Sequence, residues 1–240
     1  MMKHKKVYIV LLFVSLCFLL LIFYWLLMDT KDQKHMGNLK KELVHKKSVS
    51  NIDWEYLVNE NSDTVAWIKI KGTKIDYPIV QSEDNSYYLT HSFDQTKNRY
   101  GWIFSDFRNN LNRLNQNSII YGHGLWNGEM LGSLRSLLDS DFFRNEEHHL
   151  IYLSTPQEDK VFQIFSVYRI EKERYYLQNS FRTDKEFESF IHTILGRSYL
   201  DFQQQVNVND RILTLSTCEN DYGMRIVVHA KLIKQETQTE

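Results

Sequence analysis

The chain has 240 residues, 42% of them hydrophobic, with 29 Lys and Arg against 30 Asp and Glu. A formal net charge of −1 with dispersed basic residues excludes the basic stripe of a nucleic-acid-binding protein. The sequence also holds no internal repeat, no Gly-rich phosphate loop and no low-complexity tract.

In chain order, Lys3, Lys5 and Lys6 precede an apolar run, Val7 to Met28, that carries no charged residue. Roughly 20 apolar residues span a bilayer as a helix. A cleaved secretory signal has a shorter apolar core of about 7–15 residues and an Ala-x-Ala-like site. Here the run ends in Tyr24-Trp25-Leu26-Leu27-Met28, and its aromatic rings suit the membrane–water interface. Residues 1–28 therefore read as an uncleaved, single-pass anchor. Long domains translocate largely regardless of flanking charge, so the short N-terminus reads as inside and the rest of the chain as outside. Residues 29–50, with Lys31, Lys34, Lys40, Lys41, Lys46 and Lys47, read as a juxtamembrane stalk or a solvated helix. Residues 51–235 are enough for one domain of ordinary size with a full core.

That domain opens with a short helix, Ile52 to Asn59, and then turns to β-type runs. Thr64–Ile70 alternates toward a half-buried strand, and Gly72-Thr73 is a turn signal before Lys74–Val80. Further strands are expected at Gly101–Phe104, Asn117–Tyr121, Leu150–Ser154, Lys160–Ile170, Arg211–Leu215 and Arg225–Ile233. A helix is expected over Glu129–Leu138. A clearer one spans Asp184–Leu195, where Thr183 and Glu186 form a capping-box pattern. Phe187, Phe190, Ile191, Ile194 and Leu195 then repeat at helical spacing as a core-facing stripe. Eight short strands with turn residues between them favour a barrel or sandwich, with a mixed α+β sheet as the alternative. His148 and His149, as consecutive residues entering a strand, would point to opposite faces and share no metal.

Two cysteines are present, and Cys17 lies in the apolar N-terminal run. Cys218 is thus unable to pair within its own domain. It ends the β-prone run Ile212-Leu213-Thr214-Leu215-Ser216-Thr217-Cys218, and Arg225 opens the next run. A lone cysteine is compatible with a small buried hydrophobe. An odd cysteine in an exported domain, near an arginine, also reads as a reactive thiol. A thiol of pKa about 8.5 needs a base or a positive neighbour to react at neutral pH. Of the nine histidines, His123 stands out. It leaves a buried strand between Gly122 and Gly124, and is expected at an exposed sheet edge with room for a substrate backbone. His229 alternates within a strand and reads as a satisfied core histidine. His192 lies on the polar side of its helix, and His91 in an aromatic-rich loop.

Thr214-Leu215-Ser216-Thr217-Cys218, Tyr121-Gly122-His123 and Arg225 together resemble a sortase, the membrane-anchored cysteine transpeptidase of Gram-positive bacteria. Trp67-Ile68-x-Ile70, Ile75–Val80, Asp84–Leu89, Gly101-x-Ile103-Phe104-x-Asp106 and the helix between Arg182 and Leu200 resemble class B in particular. The stretch between Cys218 and Arg225 is shorter than in many class B members, and Gly124 stands where Asn is frequent. The resemblance implies a mainly β fold, a closed barrel of about eight strands, with N-terminal helices and a long helix inserted before the late strands. It implies that Cys218 is the nucleophile, His123 the general acid and base, and Arg225 the donor to peptide or oxyanion. It implies that Asn85, Leu89, Tyr176, Leu177 and Glu219 line a peptide groove, with Ser216 and Thr217 hydroxyls assisting. The implied partners are a C-terminal sorting peptide and an amine of a peptidoglycan precursor or a pilin lysine. No metal or cofactor is implied, and no clustered carboxylate loop resembles a calcium site. A cysteine endopeptidase using water and a membrane-tethered binding domain are the alternatives.

Overall fold

The computed structural model describes residues 2–45, 52–171, 173–218 and 224–237, and for Cys218 it describes the backbone. The chain divides into two compact units, Met1–Lys41 and Glu42–Glu240. The first is built on helix α1 (Met2–His45). From Val10 to Met28 its large apolar side chains are exposed. A helix satisfies its own backbone polar groups, as an apolar surrounding requires. By length and composition it is long and apolar enough to cross a membrane. Residues 29–45 of the expected stalk continue the same helix, and residues 46–50 lie outside the described residues.

The second unit begins with α2 (Trp54–Glu60), where the Asp53 side chain accepts the Tyr56 N–H at 2.9 Å and Leu57 is buried. The strands are β1 (Thr64–Ile70), β2 (Asp76–Val80), β3 (Phe104–Ser105), β4 (Asn117–His123), β5 (Leu150–Ser154), β6 (Glu158–Ile170), β7 (Ile212–Cys218) and β8 (Arg225–Thr237). They close into one barrel in the order β1-β2-β3-β4-β7-β8-β6-β5. In β1 Ala66, Ile68 and Ile70 are buried on one face; on the other, Val65 is half-buried and Lys69 exposed, while Trp67 is buried as well. The β2–β3 and β4–β7 pairs are parallel, and the other ladders antiparallel. Short helix α3 (Ser140–Phe143) precedes β5.

Helix α4 (Asp184–Gly196) is inserted between β6 and β7. Thr183 Oγ1 accepts the Glu186 N–H at 3.2 Å. The Glu186 carboxylate takes the Arg182 N–H at 2.9 Å, so the reciprocal cap lands one residue earlier than a standard capping box. Phe187, Phe190, Ile191 and Ile194 are buried against Phe165, Tyr168, Ile170, Ile212 and Val227. The stripe is core packing, as its spacing indicates.

Three local expectations are corrected. The strand expected over 101–104 shrinks to Phe104–Ser105, because Gly101 adopts φ +55° and breaks the extended run. The helix expected over Glu129–Leu138 is a 3-10 turn, Gly132–Leu138, because Met130 sits at φ +53° and bridges to Gly124. His148 and His149 belong to a 3-10 turn, Glu146–His149, and not to a strand. Their rings pack on Phe142 and Phe143, at centroid distances of 4.0 and 4.8 Å.

Candidate active site

β4 and β7 run parallel from Asn117↔Ile212 to His123↔Cys218 without a register break. Paired strands lie about 4.8 Å apart, so the last residues of the two strands are brought side by side. The β7–β8 ladder runs to Ser216↔Val227. Beyond it, Thr217 Oγ1 accepts the Ile226 N–H at 2.8 Å, a side chain continuing what the backbone ladder leaves off. Cys218 and Arg225 are the next residues outward on their strands. Residues far apart in sequence thus gather at one end of the barrel.

His123 is half-buried, and β4 is an interior strand between β3 and β7. The expectation of an exposed edge is corrected: closure of the barrel leaves β4 no edge. The Gly residues beside it lie against packed neighbours. A Cβ on Gly122 would meet Leu131 Cγ at 2.9 Å, and one on Gly124 would meet Thr217 Cβ at 3.3 Å. The His123 Nε2 lies 3.0 Å from the Leu89 carbonyl. A carbonyl only accepts, so Nε2 carries the proton in the neutral ring and Nδ1 holds the lone pair. Burial pushes the His123 pKa down, and the Leu89 bond offsets part of that shift.

Leu89 ends a 3-10 turn, Tyr87–Leu89. Asp84 Oδ1 accepts the N–H groups of Ser86 and Tyr87, at 2.7 and 2.8 Å, and starts the turn. Gly101 backs it closely: a Cβ there would lie 2.2 Å from the Tyr88 oxygen and 2.7 Å from the Leu89 oxygen. The carbonyl that holds His123 is therefore fixed by a neighbour that tolerates only glycine.

Arg225 Nη1 donates to the Tyr176 hydroxyl at 3.3 Å, and that hydroxyl lies 3.0 Å from Ser216 Oγ. Tyr176 is fully buried, and Ser216 and Thr217 are nearly so. Tyr176 and Ser216 thus connect to Arg225, and Thr217 to the start of β8. Leu177 and Leu89 are half-buried, each at the end of a 3-10 turn. Asn85 is half-buried and bridges backbone and carboxylate: its Oδ1 accepts the Phe107 N–H at 3.0 Å, and its Nδ2 donates to Asp106 Oδ2 at 2.9 Å. Glu219 lies outside the described residues.

Sequence reading assigned no role to Asp106 and did not single out Arg108. The Asp106 side chain is 0% exposed. Arg108 reaches it with a two-pronged fork, Nε to Oδ1 at 2.8 Å and Nη2 to Oδ2 at 2.7 Å, and Tyr121 adds its hydroxyl at 2.9 Å. Burial alone pushes this carboxyl up. The Arg108 donors and the Tyr121 hydroxyl outweigh it and hold Asp106 below the usual carboxylate range. The Asp-x-Arg spacing after a short strand was the available signal.

His229 is fully buried among Phe165, Phe190 and Tyr168. Thr214 Oγ1 lies 2.8 Å from its Nδ1 and the Tyr168 hydroxyl 2.9 Å from its Nε2. It is a satisfied core histidine.

The Sortase domain family matches residues 68–233. A Sortase B of Staphylococcus aureus (strain NCTC 8325 / PS 47) is 32% identical over 245 residues, covering 97% of this chain and 99% of the relative. A Sortase B of Listeria monocytogenes serovar 1/2a is 39% identical over 176 residues, covering 72% of this chain and 71% of the relative. Among solved structures, a sortase B complexed with triglycine superposes with a TM-score of 0.76 at 33% identity, covering 86% of this chain and 99% of that one. A Staphylococcus aureus sortase B–substrate complex gives 0.75 at 33% identity, covering 86% and 98%. The chain belongs to the sortase family and, within it, to class B.

Proposed function

We propose that this class B sortase cleaves a C-terminal sorting signal after threonine and passes the acyl group to an amine of a peptidoglycan precursor or a pilin. The Cys218 thiolate attacks the threonine carbonyl and His123 protonates the departing amine, leaving a thioester on the sulfur. An incoming amine then attacks the thioester carbonyl, gives a proton to His123 and releases the thiolate. Arg225 donates to the peptide or to the developing oxyanion, where its planar fork suits a carbonyl better than an ammonium does. Burial that holds the His123 pKa down makes its imidazolium a stronger acid toward the leaving amine.

The observation that carries this reading is the unbroken parallel register that pairs His123 with Cys218, with Arg225 opening the adjoining strand. Asn85, Leu89 and Leu177 border the groove in this scheme, and Glu219 flanks the nucleophile. Tyr176, Ser216 and Thr217 act by holding Arg225 and β8 in place. Residues 1–28 anchor the chain, residues 29–50 form the stalk, and residues 51–235 form the catalytic domain on the outer side of the membrane. Tethering beside a membrane-bound substrate and a lipid-linked acceptor raises their effective concentration. A sortase B relative has been solved with triglycine, so a glycine amine is the first acceptor to test.

The test is product analysis. A peptide carrying a Thr–Asn bond is incubated with the full-length chain in detergent, with and without triglycine. Transfer predicts a triglycine-extended product that grows with amine concentration, and Cys218→Ala predicts none. Hydrolysis alone at saturating triglycine would replace transfer by a water-using endopeptidase. Undiminished cleavage by Cys218→Ala would remove the nucleophile.

A further inference from the structure

We propose that the buried Asp106–Arg108 ion pair is a positioning device that sets the two walls of the site, one carrying His123 and the other Arg225, against each other. This rests on the transpeptidase reading and adds residues to it.

The pair sits where three segments meet. From the first, the loop between β2 and β3, Asn85 Nδ2 donates to Asp106 Oδ2 at 2.9 Å. Four residues on, that same segment supplies the Leu89 carbonyl that holds His123. From β4, Tyr121 donates to Asp106 Oδ2 at 2.9 Å, two residues before His123. From the loop between β6 and α4, the Leu177 carbonyl accepts from Arg108 Nη2 at 3.0 Å. Its neighbour Tyr176 accepts from Arg225. Arg108 therefore spends one nitrogen on both partners, the Asp106 carboxylate and the Leu177 loop.

The Asp106 carboxylate also accepts the Arg108 backbone N–H on Oδ1 at 3.0 Å, while its backbone bonds Gln81, Asn109 and Ile119. A buried carboxylate is costly unless every lone pair is met, and a fork of donors meets it at fixed angles. Those angles are what makes the pair a ruler and not only an adhesive. A lysine would keep the charge, but a single ammonium cannot span both carboxylate oxygens and reach the Leu177 carbonyl in the same plane. Misplacing a reacting group by about 1 Å costs on the order of 10²-fold in rate.

The experiment compares full-length wild type, Asp106→Asn, Arg108→Met and Arg108→Lys in detergent, each at a temperature where it is fully folded by circular dichroism. Two quantities are read. One is kcat/KM on the Thr–Asn peptide with triglycine. The other is the titration of the His123 ring, followed by NMR on histidine-selectively labelled chain and assigned with His123→Ala. Positioning predicts a fall of about 10²-fold for Arg108→Met, little rescue by Arg108→Lys, and a His123 titration that moves further down as the Leu89 carbonyl, which offsets part of the burial effect, draws away from the ring. If Arg108→Met does not fold, Tyr121→Phe, which leaves the ion pair intact and removes one donor, carries the same two measurements. Either quantity unchanged in the folded variants overturns the proposal. The titration needs no turnover, so a failure of the transpeptidase reading, seen as undiminished cleavage by Cys218→Ala, is separate from a failure of this one.

Discussion

His229 is fully buried and His123 half-buried, and both pKa values are lowered, yet their hydrogen bonding differs. His123 is tied on one nitrogen, to Leu89, at the end of the strand paired with Cys218. His229 is tied on both, to Thr214 and Tyr168. His123→Ala is expected to lower kcat/KM by about 10²–10⁴-fold with little change in melting temperature, the range for a lost general acid–base. His229→Ala is expected to do the opposite. It leaves a cavity and two hydroxyls short of a partner, for roughly 2–5 kcal/mol of stability measured by urea unfolding. The reverse pattern would move the general acid to His229.

Acid also separates the states. Burial pushes the His229 pKa down from 6.5 to about 3. The folded chain keeps this ring neutral where the unfolded chain protonates it, so its contribution is present above pH 6.5 and is lost as pH falls toward 3. The lowered His123 and Asp106 values act with the same sign. The melting temperature should therefore fall steadily on acidification below about pH 6.5. In His229→Gln that slope should be shallower, and equal slopes in the two proteins would contradict the assignment.

At the scale of elements, the turn Tyr87–Leu89 couples fold to chemistry. Gly101→Ala places a methyl into the Tyr88 and Leu89 carbonyls and forces a left-handed backbone on alanine. The strain alone is about 1–2 kcal/mol, and relief of the clash would draw the Leu89 oxygen off His123. Loss of stability and a slower kcat should appear together in this variant, whereas α4 should separate them. Thr183→Ala removes the α4 cap and should cost about 1 kcal/mol of stability. Its kcat/KM should stay near wild type, because no described contact of that cap reaches the site. A large kinetic effect from Thr183→Ala would mean that α4 does more than pack.

For the whole molecule, the barrel was legible because its strands alternate and end on turn residues, as Ala66, Ile68 and Ile70 do in β1. The α4 stripe was legible for the same reason at helical period. Elements set by backbone strain were not: Met130 at φ +53° turned an expected helix into a bridge and a 3-10 turn. Cys218, His123 and Arg225 could be singled out because a lone thiol, a Gly-framed imidazole and a strand-opening guanidinium are unusual residues in their places. Their supports could not. The Leu89 carbonyl is a backbone atom, and Arg108 joins segments far apart in sequence, so neither leaves a periodic trace. Tyr176 was named only through the family resemblance, and its burial and its bond to Arg225 are visible only in the structure.

The most direct test of the central claim is the intact mass of the full-length chain after incubation with the Thr–Asn peptide in the absence of any added amine. A rise equal to the acyl fragment, labile to hydroxylamine, mapped to Cys218 and absent from Cys218→Ala, is the predicted result. An adduct on Ser216, or cleavage with no adduct and no dependence on Cys218, would contradict it.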